Sequence, residues 1–248
     1  LGQVTSIAKS KDLSIDSEGK VTAPMAQVDS TIAAVAFDAK GRVVKVTIDT
    51  AQTRVSFNKD FTVAGDLTAK GLTKVELGDD YGMHRVSSIG KEWNEQIAEL
   101  ERWMVGKTVE EIKALKVKQR DASHPAVPDV PELTSVVTIT VQDYVAAVEK
   151  AWENAVPVAG GGEKLGLGHD ISIAGSKPAS AQVDTTLAAT LFDKDNKVVG
   201  VVIDVIQGRV PFDRETAKVT ADRDAEVKSK KELGDAYGMI RTSEIKKE

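Results

Sequence analysis

The chain repeats itself, and that constrains its fold more than any other feature. Residues 26–57, AQVDSTIAAVAFDAKGRVVKVTIDTAQTRVSF, agree with 181–212, AQVDTTLAATLFDKDNKVVGVVIDVIQGRVPF, at 18 of 32 positions. KVELGDDYGMHRVSSIGKE at 74–92 agrees with KKELGDAYGMIRTSEIKKE at 230–248 at 13 of 19, and LGQVTSIAKS at 1–10 aligns with LGHDISIAGS at 167–176. Three collinear matches read as a duplication. The offsets run 166, 155 and 156, so the first copy holds eleven extra residues between Ser10 and Ala26. That stretch, KDLSIDSEGKVTAPM, is polar, carries a Gly-Lys turn signal, and reads as a surface loop or small hairpin.

Each copy has a β core. Val44, Val46 and Ile48 alternate with Val43, Lys45, Thr47 and Asp49, and Val199, Val201 and Ile203 repeat the pattern. Period two with one apolar face predicts a half-buried strand, with the run from Gln27 to Phe37 as its partner. Gly41 in the first turn is replaced by Asn196 in the second. These residue types best tolerate a left-handed backbone, as a tight hairpin requires. A third strand is expected at Arg54–Phe57 and Arg209–Phe212.

Helical signals fill the space between the copies. Trp93, Ile97, Leu100 and Met104 form an amphipathic stripe, with Gly106 able to end it. Thr108 and Glu111 make a capping box for a short helix through Val109, Ile112 and Leu115. Residues 121–131, DASHPAVPDVP, read as an extended linker. A further helix is expected from Thr140, with Asp143 as its capping partner, through Tyr144, Val145, Val148 and Trp152 to a stop at Pro157 and Gly160–Gly162. The expected organisation is an α+β protein of two homologous repeats, each a small antiparallel sheet with added helices. Residues 1–120 form repeat 1, 121–162 the linker, helix and glycine run, and 163–248 repeat 2 without its helical part. Glu248 matches Glu92 and Leu1 matches Leu167, so the chain reads either as a portion of a longer protein or as one whose missing helix a neighbouring subunit supplies.

Composition narrows the chemistry. With no cysteine among 248 residues, disulfides, thiolate metal sites and cysteine nucleophiles are excluded. A net charge of −5 argues against a nucleic-acid partner. No apolar run is long enough to span a membrane as a helix. Gly106-Lys107-Thr108 lacks the upstream glycine of a phosphate loop, Glu101 standing in its place. The glycine-rich stretch 160–168 matches no dinucleotide fingerprint, and no serine nucleophile elbow occurs. His84, His124 and His169 fall in different segments, and Ile240 replaces His84 in the other copy, so no metal site is expected.

Two polar constellations recur. Asp49, Gln52 and Arg54 match Asp204, Gln207 and Arg209, and read either as an Asp–Arg brace across a turn or as the lining of a polar cleft. L-G-D-x-Y-G-M-x-R places Tyr81, Met83 and Arg85 opposite Tyr237, Met239 and Arg241. Its two glycines predict a sharply turned loop that plants the tyrosine and methionine against the sheet. This loop is the best candidate for a ligand contact or interface.

The segments Q-V-D-x-T…F-D…V-V-x-V-x-I-D-x-x-Q and K-x-E-L-G-D-x-Y-G-M, with I-G-K-E-W-N-E-Q-I at 89–97, resemble tandem-repeat bacterial extracytoplasmic proteins and lipoproteins related to the FMN-binding domain family. The resemblance implies an extracellular or cell-surface location. Flavin-carrying relatives attach FMN covalently at an S-G-A-[ST]-like motif. No such motif occurs here, Ala174-Gly175-Ser176 lacking the flanking residues. The expected function is therefore non-catalytic: a structural or interaction protein that associates with copies of itself and has no cofactor. The alternative is an electron-transfer protein holding FMN non-covalently near Tyr81 and Tyr237.

Overall fold

The computed structural model describes residues 1–158 and 162–245. Strand β1 (Gly2–Ser6) leads through a small hairpin, β2 (Ser14–Ile15) and β3 (Val21–Thr22), into the long hairpin β4 (Met25–Phe37) and β5 (Val43–Phe57), then β6 (Val63–Ala64). Next come α1 (Lys74–Leu77), α2 (Trp93–Met104), α3 (Val109–Lys113), β7 (Val117–Lys118), β8 (Val127–Pro128) and α4 (Gln142–Glu153). A second long hairpin follows, with β9 (Lys164–Ser172) ahead of β10 (Ser180–Phe192) and β11 (Val198–Pro211), and then α5 (Lys230–Leu233). The fold is mixed α+β. Its main elements are two antiparallel sheets, ordered β1-β4-β5-β6 and β11-β10-β9.

The two sheets have the same register. Gly2 stands opposite Ala33, which stands opposite Ile48; Gly168, Ala188 and Ile203 form the same row. Each long ladder shifts once, between Ala36 and Phe37 and between Leu191 and Phe192. The turns beside those shifts place Gly41 at φ 74° and Asn196 at φ 60°, the left-handed conformation expected of both.

Strand periodicity sorts the side chains into two cores. The inner faces of the sheets pack on one another, with Val28, Ile32, Val55 and Phe57 meeting Val183, Leu187, Ile206 and Phe212. Phe57 and Phe212 lie edge to face at 5.1 Å, an arrangement favoured by their ring quadrupoles. The outer face of the first sheet is covered by helices: Ala33, Val43 and Ile48 pack beneath Trp93, Ile97, Leu100 and Met104 of α2 and Tyr144, Ala147 and Val148 of α4.

Contacts between the halves come in matched pairs. The Gly71 amide donates to the Ile171 carbonyl and the Val227 amide to the Thr5 carbonyl. The Gln3 amide donates to Glu232 at 2.5 Å, while His169 Nε2 lies 2.9 Å from a Glu76 oxygen.

Four local expectations are corrected. No separate strands begin at Arg54 or Arg209, because β5 and β11 run on unbroken through Gln52 and Gln207. The third strand of each sheet is instead β1 or β9, on the far side of β4 or β10. Thr140 and Asp143 form no capping box: α4 begins at Gln142 with Val141 as its cap, so Asp143 falls one position too early. The segment 121–131 is not merely a linker, since Val127 and Pro128 pair with β7 and bury Ala126 and Val127. The helix α2, the capping box of α3 and the β2–β3 hairpin form as expected. Gly160, Gly161 and Glu248 lie outside the described residues.

Candidate functional site

The repeated loop is built from the strand outward. Thr73 caps α1 through a reciprocal box with Glu76, and Ser229 caps α5 through one with Glu232. Gly78 and Gly82 then turn the chain at φ 50° and 77°, as do Gly234 and Gly238 at 48° and 85°. Only glycine enters these conformations cheaply. The turns carry Tyr81 and Met83, half-buried, against the outer core of the first sheet, and leave Arg85 exposed. Tyr237 is likewise half-buried, while Met239 is exposed and Arg241 points to solvent.

Asp49 and Asp204 fasten this loop to the sheet. Asp49 accepts the amides of Thr50 at 2.7 Å and Val75 at 3.2 Å. Asp204 accepts those of Val205 and Lys231, with the Ser229 hydroxyl at 2.6 Å. Burial pushes the Asp49 carboxyl above its ordinary range, against the lowering effect of Thr73, Thr50 and Val75. The aspartate is thus a brace, but not one made with the arginine. Asp49 and Arg54 sit five residues apart in one continuous strand, so their side chains leave opposite faces.

Arg54 and Gln52 face the other way, toward Tyr81. Two adjoining shallow clefts of about 680 and 450 Å³ share Gln52, Arg54 and Tyr81; Lys74 and Met83 line the second. The loop residues and the strand residues therefore meet at one place. The Arg54 Nε donates to the Gln27 side chain at 2.9 Å, Gln27 donates to Asp29, and Lys9 pairs with Asp29 at 2.8 Å. The second sheet has the same relay: Arg209 to Gln182 at 3.2 Å, and Gln182 and Gln207 both to Asp184.

Further contributing residues show in the sequence only as identities between the matched segments, Lys74 with Lys230 and Glu92 with Glu248. The Lys74 ammonium lies 4.8 Å from the Tyr81 ring centroid and 5.3 Å from that of Trp93; Lys230 lies 4.8 Å from the Tyr237 ring. Each is a cation–π contact. Burial lowers the Lys74 pKa to about 8, with Asp29 working against the shift. Glu92 ties the loop to α2, accepting the amides of Met83 at 2.8 Å and His84 at 2.9 Å and the His84 ring at 2.8 Å. Burial opposes its ionisation, but these donors and the Trp93 amide outweigh it and hold its pKa at about 2.

The cleft offers cations, amides and an aromatic face. It does not place a nucleophile beside a base. Each histidine lies beside one carboxylate: His84 with Glu92, His124 with Asp121, and His169 with Glu76. Among the described residues no three His, Asp or Glu side chains stand together as a metal site, and no helix is long and apolar enough to cross a membrane.

No protein-family model, curated protein or solved structure matches the chain. The outer face of the second sheet is the other candidate. Val198, Val201 and Ile203 are 58%, 52% and 55% exposed, whereas Val43 and Ile48, in the same register positions of the first sheet, are each 1% exposed. The strand edge differs too. The Ile48 amide is capped by Glu101 at 2.6 Å, and Val43 exchanges backbone bonds with Gly106 and Lys107. Among the described residues, β11 has no such partners from Val198 to Ile203.

Proposed function

We propose that this chain is a non-catalytic, secreted or cell-surface structural and interaction protein. On this reading it is built from two homologous repeats and associates with further copies of itself. The observation that carries the reading is the bare outer face of the second sheet, where apolar side chains stand in water beside an uncapped strand edge. Exposed large apolar side chains beside an open strand edge are features that draw a partner. The equivalent face of the first sheet is covered, so such a face has a folded solution within this architecture. The extracytoplasmic location rests on the resemblance of the repeated segments and suits a chain without cysteine. Light scattering across a range of concentrations tests the proposal. The expected result is mass that grows with concentration and returns to the monomer value in Ile203→Glu. A wild-type chain that stays monomeric throughout contradicts it.

A second reading has its own observation, the cleft at Tyr81. Arg54 and Lys74 suit an anionic group and the Tyr81 and Met83 side chains a planar one, so this donor set is compatible with FMN held non-covalently. Bound there, the flavin would supply the electron-transfer chemistry, and Arg54 and Lys74 would hold its phosphate. Flavin absorbance in the natively purified protein, lost in Lys74→Ala with Arg54→Ala, is the result expected on this reading. Protein that shows no flavin absorbance and binds no added FMN rules it out.

A further inference from the structure

Arg54 is held in the Tyr81 cleft by an indirect contact. A carboxylate beside a guanidinium commonly pairs with it directly, through two parallel hydrogen bonds. In this cleft a glutamine stands between them. The Gln27 side-chain amide donates to both Asp29 oxygens, at 2.8 and 3.0 Å, and the Gln27 oxygen accepts the Arg54 Nε–H at 2.9 Å. Gln27 is 3% exposed, so its side chain is fixed and fixes the arginine in turn. Only Nε is engaged: among the described residues the two Nη groups have no hydrogen bond and no carboxylate partner. Lys74 is left in a similar state. Its ammonium rests on the Tyr81 and Trp93 rings and pairs with no carboxylate among the described residues. Asp29 is taken by Lys9 at 2.8 Å, and Asp80, which lines the same cleft, is exposed and forms no ion pair among the described residues.

The second half repeats the arrangement with its own residues. The Gln182 amide donates to Asp184 at 2.7 Å, and the Gln182 oxygen accepts the Arg209 Nε–H at 3.2 Å. Lys230 lies 4.8 Å from the Tyr237 ring, the distance that separates Lys74 from Tyr81. Neither Arg209 nor Lys230 has a carboxylate partner among the described residues. Asp204 fastens this loop to its strand as Asp49 fastens the first, and Gln182 stands opposite Arg209 as Gln27 stands opposite Arg54. Arg209 and Tyr237 therefore hold the positions of Arg54 and Tyr81. Two charges differ. Ala236 replaces Asp80, and Gly175 replaces Lys9, so Asp184 is shared by the Gln182 and Gln207 amides without a cation.

An arginine that only braced the fold would gain most from the direct pair. Routing the contact through a glutamine positions the guanidinium while leaving its Nη fork and its charge available. That fork matches the paired oxygens of a carboxylate or phosphate. We infer that each half of the chain carries an oxyanion site, Arg54 with Lys74 beside Tyr81 and Arg209 with Lys230 beside Tyr237. Each takes the carboxylate or phosphate group of a small ligand. The first site rests on the cleft reading given above, without requiring a flavin; the second is assigned from the repeated geometry. With Asp184 unpaired by a cation, the second site is the weaker of the two.

The test titrates the full, isotope-labelled chain with phenyl phosphate and, separately, with benzoate, which share a ring and differ in the anion. Amide NMR shifts are followed at residues 77–83 and 233–239. Saturable shifts are expected at both loops, the second saturating at higher concentration, and the tighter probe identifies the anion as phosphate or carboxylate. Arg54→Gln is expected to weaken binding at the first loop by roughly tenfold or more and to leave the second unchanged; Arg209→Gln does the converse. Both arginines are exposed, so the unshifted remainder of the spectrum reports an intact fold in each variant. No saturable shift at either loop, or shifts that survive both substitutions, overturns the inference. Shifts at the first loop alone overturn the second site. Binding of phenyl phosphate at both loops without binding of added FMN overturns the flavin reading and leaves the two sites standing. Native flavin absorbance with no shift at 233–239 does the reverse.

Discussion

The two sheets share their register and the rows Gly2–Ala33–Ile48 and Gly168–Ala188–Ile203, yet one face is sealed and the other is not. Ile48 is 1% exposed and Ile203 is 55% exposed. The strands themselves differ at two outer positions, Asp170 and Thr190 standing where the first sheet has Val4 and Val35. The larger difference is α2 and α4, which among the described residues pack on the first sheet and not on the second. Burial on the outer face is therefore set by what docks there, while burial on the inner face is set by the pairing of the two sheets and is shared by both. A strand pattern states that a face is apolar; its neighbours decide whether that face is core or surface.

Substitutions that probe each layer sharpen this contrast. The inner core treats both halves alike, so Phe57→Ala and Phe212→Ala are each expected to destabilise by about 3–5 kcal/mol in denaturant titrations. The two rings pack on one another across the sheet interface. A large inequality between them would break the picture of a shared inner core. The outer faces are expected to diverge. Ile48→Ala leaves a cavity beneath the helices and is expected to cost about 2–5 kcal/mol, whereas Ile203→Ala in the isolated chain costs less than about 1 kcal/mol. Equal costs would mean that the helices contribute little to the first sheet.

The pH dependence separates two carboxylates of the helix layer. Burial raises the Glu101 pKa from 4.5 to about 7, with the Ile48 amide working against the shift and Asp49 adding to it. The folded protein then holds a proton that the unfolded chain releases. Stability is fully present below about 4.5 and falls as pH rises toward 7. Glu101→Gln is expected to flatten that slope in denaturant midpoints measured across the window. Glu92 has the opposite sign. Its pKa is held at about 2, so its contribution is present above 4.5 and lost as pH falls toward 2. Glu92→Gln is expected to remove that acid-side loss and to lower stability at neutral pH. An unchanged profile in both variants would contradict the hydrogen bonds assigned to them.

Much of the fold was legible because its signals are local. The left-handed turn at Gly41 and Asn196, the stripe of α2 and the box at Thr108 each depend on residues within a few positions. Errors arose where a local signal had two readings. Thr140 and Asp143 have capping-box spacing, but α4 starts two residues after Thr140. Asp49 and Arg54 suggested a braced turn only on the assumption that the strand stopped between them; parity in an unbroken strand puts them on opposite faces. The candidate cleft shows in the sequence as two separate pieces, Gln52 with Arg54 and Tyr81 with Met83, because their meeting depends on how the loop folds back over the sheet. Lys74 and Lys230 were visible only as identical letters in the repeated block, their stacking on tyrosine being a tertiary fact. Gln3 and His169 reach carboxylates of the opposite half, 229 residues away in the first case, beyond the range of any periodicity.

Amide hydrogen exchange at Val198–Ile203, followed as a function of protein concentration, addresses the bare face directly. Fast exchange is expected at the uncapped β11 edge in dilute solution, slowing as concentration rises, while Val43–Ile48 stays protected throughout. Exchange at Val198–Ile203 that does not change with concentration would contradict self-association through that face.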